Sequence, residues 1–268
     1  MYLLHLRSLT ILIVFCWVAA VIKPVWANEM GPLNKKLRLA VIYIQEPPYI
    51  YSDDNSGYVG VLPKLAQALS RELELELTYL PTPRKDLEKS VIEGRADMTW
   101  LSPNWVGAED SLLFSDPVLL HREFLYSFSP FNEGDGPRGW LQDKTVCIRQ
   151  DYAYPNLIPY FDSGVAQGLR VSSQVSLVKL FQKGRCDVLY MNELRAAWMI
   201  NKLGIKRKVW RSEFPIEEAK LSFAFSQKWQ TKMTLINQAV AKIKSSGELS
   251  RIVESSIDPI ILSNLSIE

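Results

Sequence analysis

Residues Val91–Pro117 read VIEGRADMTWLSPNWVGAEDSLLFSDP. The first residues finish a helix, and Gly94 is its natural stop, because glycine enters the left-handed conformation without steric cost. Ala96 to Leu101 reads as a short apolar strand. Ser102-Pro103-Asn104 ends it, since proline cannot donate to a ladder and pushes the residue before it out of the α region. A strand therefore stops in a polar loop flanked by Trp100 and Trp105. In open α/β sheets such a carboxyl end is where ligands bind.

The same device recurs. Gly94-Arg95-Ala96-Asp97-Met98 is echoed by Gly184-Arg185-Cys186-Asp187-Val188, each after an amphipathic helix and before an apolar strand. Two copies predict two α/β lobes built alike, facing a shared cleft.

The chain has 268 residues, 47% of them hydrophobic, which is ample for a core. Arg7, an apolar run from Ser8 to Ile22 and Val25-Trp26-Ala27 predict a secretory signal peptide over residues 1–27, cut after Ala27. Its removal takes Lys+Arg from 31 to 29, equal to the 29 Asp+Glu, so the mature chain is formally neutral. No basic run is interleaved with aromatics, so nucleic acid is not an expected partner. Cys147 and Cys186 remain. Export permits a disulfide, but bridging neighbouring strands is geometrically demanding, and two buried thiols are the simpler expectation.

Along the chain, Leu37–Ile44 is an apolar strand. Gln45-Glu46-Pro47-Pro48-Tyr49 breaks it, and Ser52–Gly57 reads as a polar turn. Gly60 opens a helix with Pro63 in its first turn and Leu62, Leu65, Ala66 and Leu69 on one face. Glu74–Leu80 alternates as a strand should, and a helix with Leu87, Val91 and Ile92 leads into the opening stretch. His121–Phe128 reads as an extended connector. Phe131–Gly139 reads as a loop whose Gly134-x-Gly136-x-x-Gly139 lacks the strand before it that a dinucleotide site needs. The second lobe follows: strand Lys144–Gln150, short helix Asn156–Phe161, strand Leu169–Ser172, helix Val175–Phe181, helix Asn192–Leu203. Ala219–Ser226 crosses back, then come a long helix Lys228–Ser246 and a last one, Leu249–Ile257.

These residues in this order resemble the extracellular solute-binding proteins of family 3. The resemblance rests on Leu37-Arg38-Leu39-Ala40-Val41 with Pro47-Pro48-Tyr49, on Gly57 and Gly60, and on the two Gly-Arg-x-Asp units. Phe114-Ser115-Asp116-Pro117 and the terminal Ser246-Gly247-Glu248-Leu249 add to it. It implies a two-lobed type II periplasmic binding fold, each lobe a mostly parallel sheet flanked by helices, with two hinge crossings. Lobe 1 would be residues 28–120 plus 218–268, and lobe 2 residues 121–217. It further implies a monomer in the periplasm that closes over a small-molecule ligand and serves an inner-membrane ABC permease, with no cofactor.

The departures from the family are as informative. Its amino-acid binders place an arginine after the first-lobe loop, in a Thr-x-x-Arg setting, to grip a carboxylate. Here that run is Ser102-Pro103-Asn104-Trp105. They hold the ammonium with an aspartate where this chain has Asn192. With both clamps absent, tight binding of common zwitterionic amino acids is not expected. Arg84 and Arg149, near predicted strand ends, are the candidate anion partners. Tyr49, Trp100, Trp105, Tyr152 and Tyr154 offer aromatic walls. The candidate ligand-binding set is Glu46, Tyr49, Arg84, Trp100, Ser102, Asn104, Trp105, Arg149, Tyr152 and Asn192.

Catalysis has less support. His121 is the one histidine after the signal segment, and no CxxC, HExxH or P-loop occurs. Asp53-Asp54-Asn55-Ser56-Gly57 reads as a turn, not a calcium loop, so no metal is expected. The chain is expected not to be an enzyme. Two alternatives stand: a cleft enzyme of the cyclohexadienyl dehydratase type, with Glu46 the one carboxylate near the cleft mouth, and a sensing or partner-docking module on the same fold.

Overall fold

Twelve strands and eight helices follow one another in the computed structural model, which describes residues 36–257 apart from 44, 54–56, 107–110, 133 and 151. The expected signal segment lies outside the described residues. The first part of the chain gives β1 (Lys36–Ile42), β2 (Tyr51–Asp53), β3 (Gly57–Val59), α1 (Val61–Glu72), β4 (Glu76–Thr82), α2 (Leu87–Ile92), β5 (Met98–Leu101) and β6 (Leu113–Phe114). The middle gives β7 (Leu119–Ser127), α3 (Gly136–Leu141), β8 (Lys144–Arg149), α4 (Ile158–Asp162), β9 (Ala166–Val171), α5 (Gln174–Gln182), β10 (Val188–Asn192), α6 (Glu193–Lys202) and β11 (Trp210–Arg211). The end gives β12 (Glu217–Phe225), α7 (Met233–Ser245) and α8 (Glu248–Glu254).

The sheet order is β4-β1-β5-β12-β7-β10-β8-β9. On one side β1 pairs in parallel with β4 and β5. On the other, β8 pairs in parallel with β9 and β10. Each half thus has its second strand outermost, its first in the middle and its third inward. Between them run β12 and β7, nine residues each, antiparallel to one another and to their inner neighbours.

The repeated Gly-Arg-x-Asp units explain the matching halves. Gly94 and Gly184 both take left-handed φ, +72° and +68°, and end α2 and α5 through bonds to Val91 and Phe181 carbonyls. Asp97 N–H then donates to the Arg38 carbonyl and its carboxylate accepts from Arg38 N–H, both at 2.8 Å. Asp187 does the same with Thr145, at 2.9 and 2.8 Å. Each aspartate pins the start of strand three to the start of strand one. The unit is a latch within its half, and it leaves the opposite, carboxyl ends of those strands for the site.

Core packing follows the periodicity. Leu62, Leu65, Ala66 and Leu69 on α1 are buried, as the helical face requires. Phe124, Leu125 and Tyr126 of β7 are buried on both faces of the sheet, each worth about 1.5–3 kcal/mol of apolar burial.

Several local readings are corrected. Of the expected connector His121–Phe128, all but Phe128 lies in β7, a paired strand, because Phe124 to Tyr126 must be covered on both sides. Around the expected polar turn Ser52–Gly57 the chain forms a hairpin, β2 against β3, with the Tyr58 ring tilted against Tyr79 at 5.0 Å between centroids. Part of the expected Phe131–Gly139 loop belongs to α3. The expected helix Lys228–Ser246 is broken: Gln227–Lys232 is a 3-10 turn that tucks Trp229 under Phe225 before α7 begins. Cys147 and Cys186 form a disulfide. Cys186 precedes β10 instead of lying in it, and this offset lets the Cα atoms approach to 5.7 Å.

No helix among the described residues is long and apolar enough to cross a membrane. Nor does any group of three or more His, Cys, Asp or Glu there form a candidate metal site.

Candidate functional site

The site begins with the loop that follows β1. Glu46 closes this loop on itself: its N–H donates to the Ile50 carbonyl at 2.8 Å, and its carbonyl accepts from Tyr49 and Ile50. The loop also docks on α1. Pro48 and Tyr49 carbonyls accept from Val61 and Leu62 N–H at 2.9 and 2.8 Å, which satisfies two of the donors that a helix start leaves free. Gly60 makes the approach possible. Its φ is +116°, and a Cβ there would lie 2.5 Å from the Pro48 carbonyl oxygen. Glu46 and Tyr49 are thereby fixed beyond the carboxyl end of β1, and both are buried.

The other half supplies the carboxyl end of β10 and the first turn of α6. Asn192 caps that helix, with Oδ1 accepting from Leu194 and Arg195 N–H at 3.0 and 3.3 Å. The same oxygen accepts from the Tyr49 hydroxyl at 2.5 Å. Beside it Arg195 Nη2 meets Glu46 Oε2 at 2.5 Å, with the two residues only 9% and 5% exposed. The guanidinium also stands 5.7 Å from the Tyr49 ring centroid, and the Tyr152 hydroxyl donates to Glu46 at 3.2 Å. Burial works against a charged Arg195, but Glu46 and Tyr49 outweigh it and keep its affinity for the proton raised. Burial pushes the hydroxyls of Tyr49 and Tyr152 up, so both stay protonated donors.

Strand β7 lines the floor. His121 Nε2 lies 2.9 Å from Glu123, and its Nδ1 is 3.3 Å from both the Tyr49 hydroxyl and Asn192 Nδ2. Asn192 Oδ1 is occupied by three donors, so Nδ2 is the atom turned toward the ring. The consistent tautomer has Nδ1 accepting and Nε2–H donating to Glu123. Glu123 stands directly opposite Glu217 of β12. Burial, then the neighbouring Glu123, push the Glu217 carboxyl up.

Of the ten candidate residues, seven come together. Besides Glu46, Tyr49, Tyr152 and Asn192, Trp100 lies 5.3 Å from the Tyr49 ring. Trp105 packs edge-on against His121 at 5.3 Å. Arg149 stands 5.4 Å over the Tyr152 ring. Three stay apart. Arg84 is exposed and bonded to Glu88 at 2.6 and 2.8 Å. Ser102 is buried and caps the 3-10 turn Pro103–Trp105 through Asn104 N–H. Asn104 itself is exposed.

Arg195 was not among the candidates. A cation in the first turn of a helix opposes the macrodipole, so its position three residues after a capping asparagine was the available signal. The set as a whole presents a carboxylate, two guanidinium groups, hydroxyl donors and aromatic faces. These are means of holding a solute.

The family model described as bacterial extracellular solute-binding proteins, family 3, matches residues 39–258. Among solved structures, the chain is similar to an ancestral cationic amino acid solute binding protein, AncCDT-1. The identity is 17%, with 84% of this chain and 96% of that one covered, at a TM-score of 0.66. Another structure of that ancestor, titled a precursor of cyclohexadienyl dehydratase, gives 16% identity, 84% and 96% coverage and a TM-score of 0.60. The second substrate binding domain of Lactococcus lactis GlnP, in an open conformation, gives 15%, 85%, 97% and 0.65. A search of curated protein sequences found no match. At these identities the structural likeness establishes the two-lobed fold, and since the family model spans most of the sequence, the chain belongs to family 3 of the bacterial extracellular solute-binding proteins.

Proposed function

We propose that this chain captures a small polar solute between two lobes, in the periplasm, and delivers it to an inner-membrane ABC-type importer. The lobes are residues 28–120 with 218–268, and residues 121–217, after export directed by residues 1–27. The observation that carries this reading is the convergence of Glu46 and Tyr49 from the first half with Asn192 and Arg195 from the second. They meet through direct bonds at strand carboxyl ends. The two halves of the sheet are linked in the chain through β7 and β12, an arrangement suited to bending about two strands. A structural neighbour titled as the second substrate binding domain of a putative amino acid ABC transporter from Streptococcus pneumoniae supports the importer role. Trp100, Trp105 and Tyr152 supply stacking faces, and Arg149 and Arg195 supply charge.

The dehydratase alternative asks Glu46 to act as a cleft acid, yet Glu46 is already held by Arg195 and Tyr152. Binding without turnover is the better use of that geometry. Native mass spectrometry of gently purified protein, followed by solution scattering with and without the solute, tests the reading. A bound solute is expected to compact the particle. Tight binding with an unchanged scattering curve would rule out closure. N-terminal sequencing of exported protein is expected to start at Asn28.

A further inference from the structure

We propose that the end of the second half of the sheet farthest from the candidate site carries a docking surface for anionic phospholipid, built on residues 202–211. This goes beyond solute capture, and its test needs no solute.

The chain from Leu194 to Ser212 holds the cations Arg195, Lys202, Lys206, Arg207, Lys208 and Arg211 and no acid. Lys206-Arg207-Lys208-Val209-Trp210-Arg211 is thus a basic run with an aromatic inside it, which the reading of the sequence passed over. The structure sorts these cations. Arg195 and Arg211 turn inward onto Glu46 and Glu193. Lys202, Lys206, Arg207 and Lys208 are exposed, and among the described residues they have no ion-pair partner.

Aromatic rings hold two of them in place. Lys208 Nζ stands 3.5 Å from the Trp210 ring centroid, and the Arg207 guanidinium 4.3 Å from that of Phe128. Phe128 is stacked at 4.3 Å on Phe181, near the end of α5. That contact brings in two more exposed cations, Lys183 and Arg185, just past the helix. Asp187, which leads into β10 beside them, already accepts from Thr145 N–H. On the other flank Lys202 lines a surface cavity with Arg251 and Glu254, whose charges cancel. A surplus of positive charge therefore stays on the run. It sits where Val188 of β10 and Trp210 of β11 flank Ser127 of β7, at the opposite end of β10 from Asn192.

The chemistry of this surface decides the partner. Lysines are compact point charges on flexible stems, and here they are interleaved with Leu203, Ile205 and Trp210, all partly exposed. Point charges mixed with apolar and aromatic groups match a fluid layer of phosphate headgroups over acyl chains. A bidentate arginine set would instead suit one fixed anion. A protein expected to leave the cytoplasm meets such lipid in the membrane its importer would occupy, and does not meet nucleic acid there.

Co-sedimentation of the purified exported protein with vesicles tests this, using pure phosphatidylcholine or phosphatidylcholine mixed equally with phosphatidylglycerol. Binding is expected to the anionic vesicles alone, and to weaken as salt rises from about 0.05 to 0.3 M, because the screening length shrinks. Each cation at an anionic surface adds roughly fivefold to partitioning, so K206Q/R207Q/K208Q is expected to lose roughly a hundredfold. K206R/K208R, which keeps the charges, is expected to bind as the native chain does. K36Q/K220Q removes two exposed cations elsewhere and is expected to change binding by less than about twofold. Circular dichroism and melting check that each variant is folded.

Equal binding to both kinds of vesicle, or undiminished binding of the folded triple variant to the anionic ones, would overturn the surface. So would an equal loss in K36Q/K220Q, since charge anywhere would then suffice. Tight binding of a short DNA duplex or of polyglutamate, with none to vesicles, would overturn the assignment of lipid as the partner. None of these results bears on solute capture in the cleft.

Discussion

The Tyr49 hydroxyl donates to Asn192 Oδ1 at 2.5 Å, across 143 positions of sequence. That oxygen also caps α6, so one atom ties the loop after β1 to the helix that carries Arg195. Removing the hydroxyl tests how much the tie contributes. Tyr49→Phe keeps the ring against Trp100 and leaves Asn192 Oδ1 with its two backbone donors. The expected loss is about 1 kcal/mol, read as a lower midpoint in urea unfolding with an unchanged slope.

Gly60→Ala acts on the same loop from below. A Cβ would press on the carbonyl oxygens of Pro48 and Tyr49, in a backbone conformation alanine avoids. The expected cost is about 2 kcal/mol or more. Displacement of Glu46 and Tyr49 should also weaken solute binding beyond what the stability loss explains, checked by calorimetry below the melting range.

Asp97 and Asp187 occupy matching places but carry different loads. Asp97 is paired with Arg38 at 3.0 Å and with Lys228, and receives the Trp229 indole N–H. For Asp187 the side-chain bond is the one from Thr145 N–H. Asp97→Asn is expected to cost about 2 kcal/mol at pH 7, and Asp187→Asn about 1 kcal/mol. Burial pushes the Asp97 carboxyl up, but the bonds from Arg38 and Lys228 outweigh it and hold it below the ordinary carboxylate value. Its folded-state affinity for the proton is depressed, so its stabilisation is present above the unfolded value, near pH 4, and is lost as pH falls through the folded one. Denaturation between about pH 5 and pH 2 should be steeper in the native protein than in Asp97→Asn.

Glu217 gives the opposite sign. Its carboxyl is pushed up by burial and by Glu123 directly opposite. A raised folded value means stability is greatest below the unfolded value and declines as pH rises through the folded one. Glu217→Gln removes the like-charge pair while leaving an acceptor for the Tyr190 hydroxyl. It is expected to stabilise by roughly 0.5–1 kcal/mol at pH 7 and to change little at pH 4, measured by chemical denaturation at both.

The disulfide spans a sequence separation of 39. Chain entropy assigns a loop of that length about 4 kcal/mol. Cys147→Ser with Cys186→Ser, or a reductant, should lower the melting temperature by more than any single change above.

Much of the architecture was legible. Gly94 and Gly184 could be read as helix stops because few other residues end a helix in that conformation, and the aspartates three residues on marked equivalent joints. The loop after β1 was legible from two consecutive prolines and Tyr49. Arg195 was not, because in a one-dimensional reading a charged residue on an amphipathic helix belongs to water. Only the cap at Asn192 and the placement of Glu46 turn it inward. The pairing of Arg84 with Glu88 was visible as an i,i+4 spacing. The disulfide was not, since it depends on an offset of Cys186 from its strand that no spacing rule gives.

The neighbour of β5 is β12, and Ser222 faces Leu101 although over a hundred residues are made between them. As the chain emerges from the ribosome, β1, β4 and β5 have all been made while the inner edge of β5, with buried Met98 and Leu101, still lacks its cover. That edge is sticky until residue 225 is available. Long-range closure of this kind slows folding. A sheet half whose third strand waits for β12 is completed only near the end of synthesis. A product truncated before β12 would keep the open edge and aggregate.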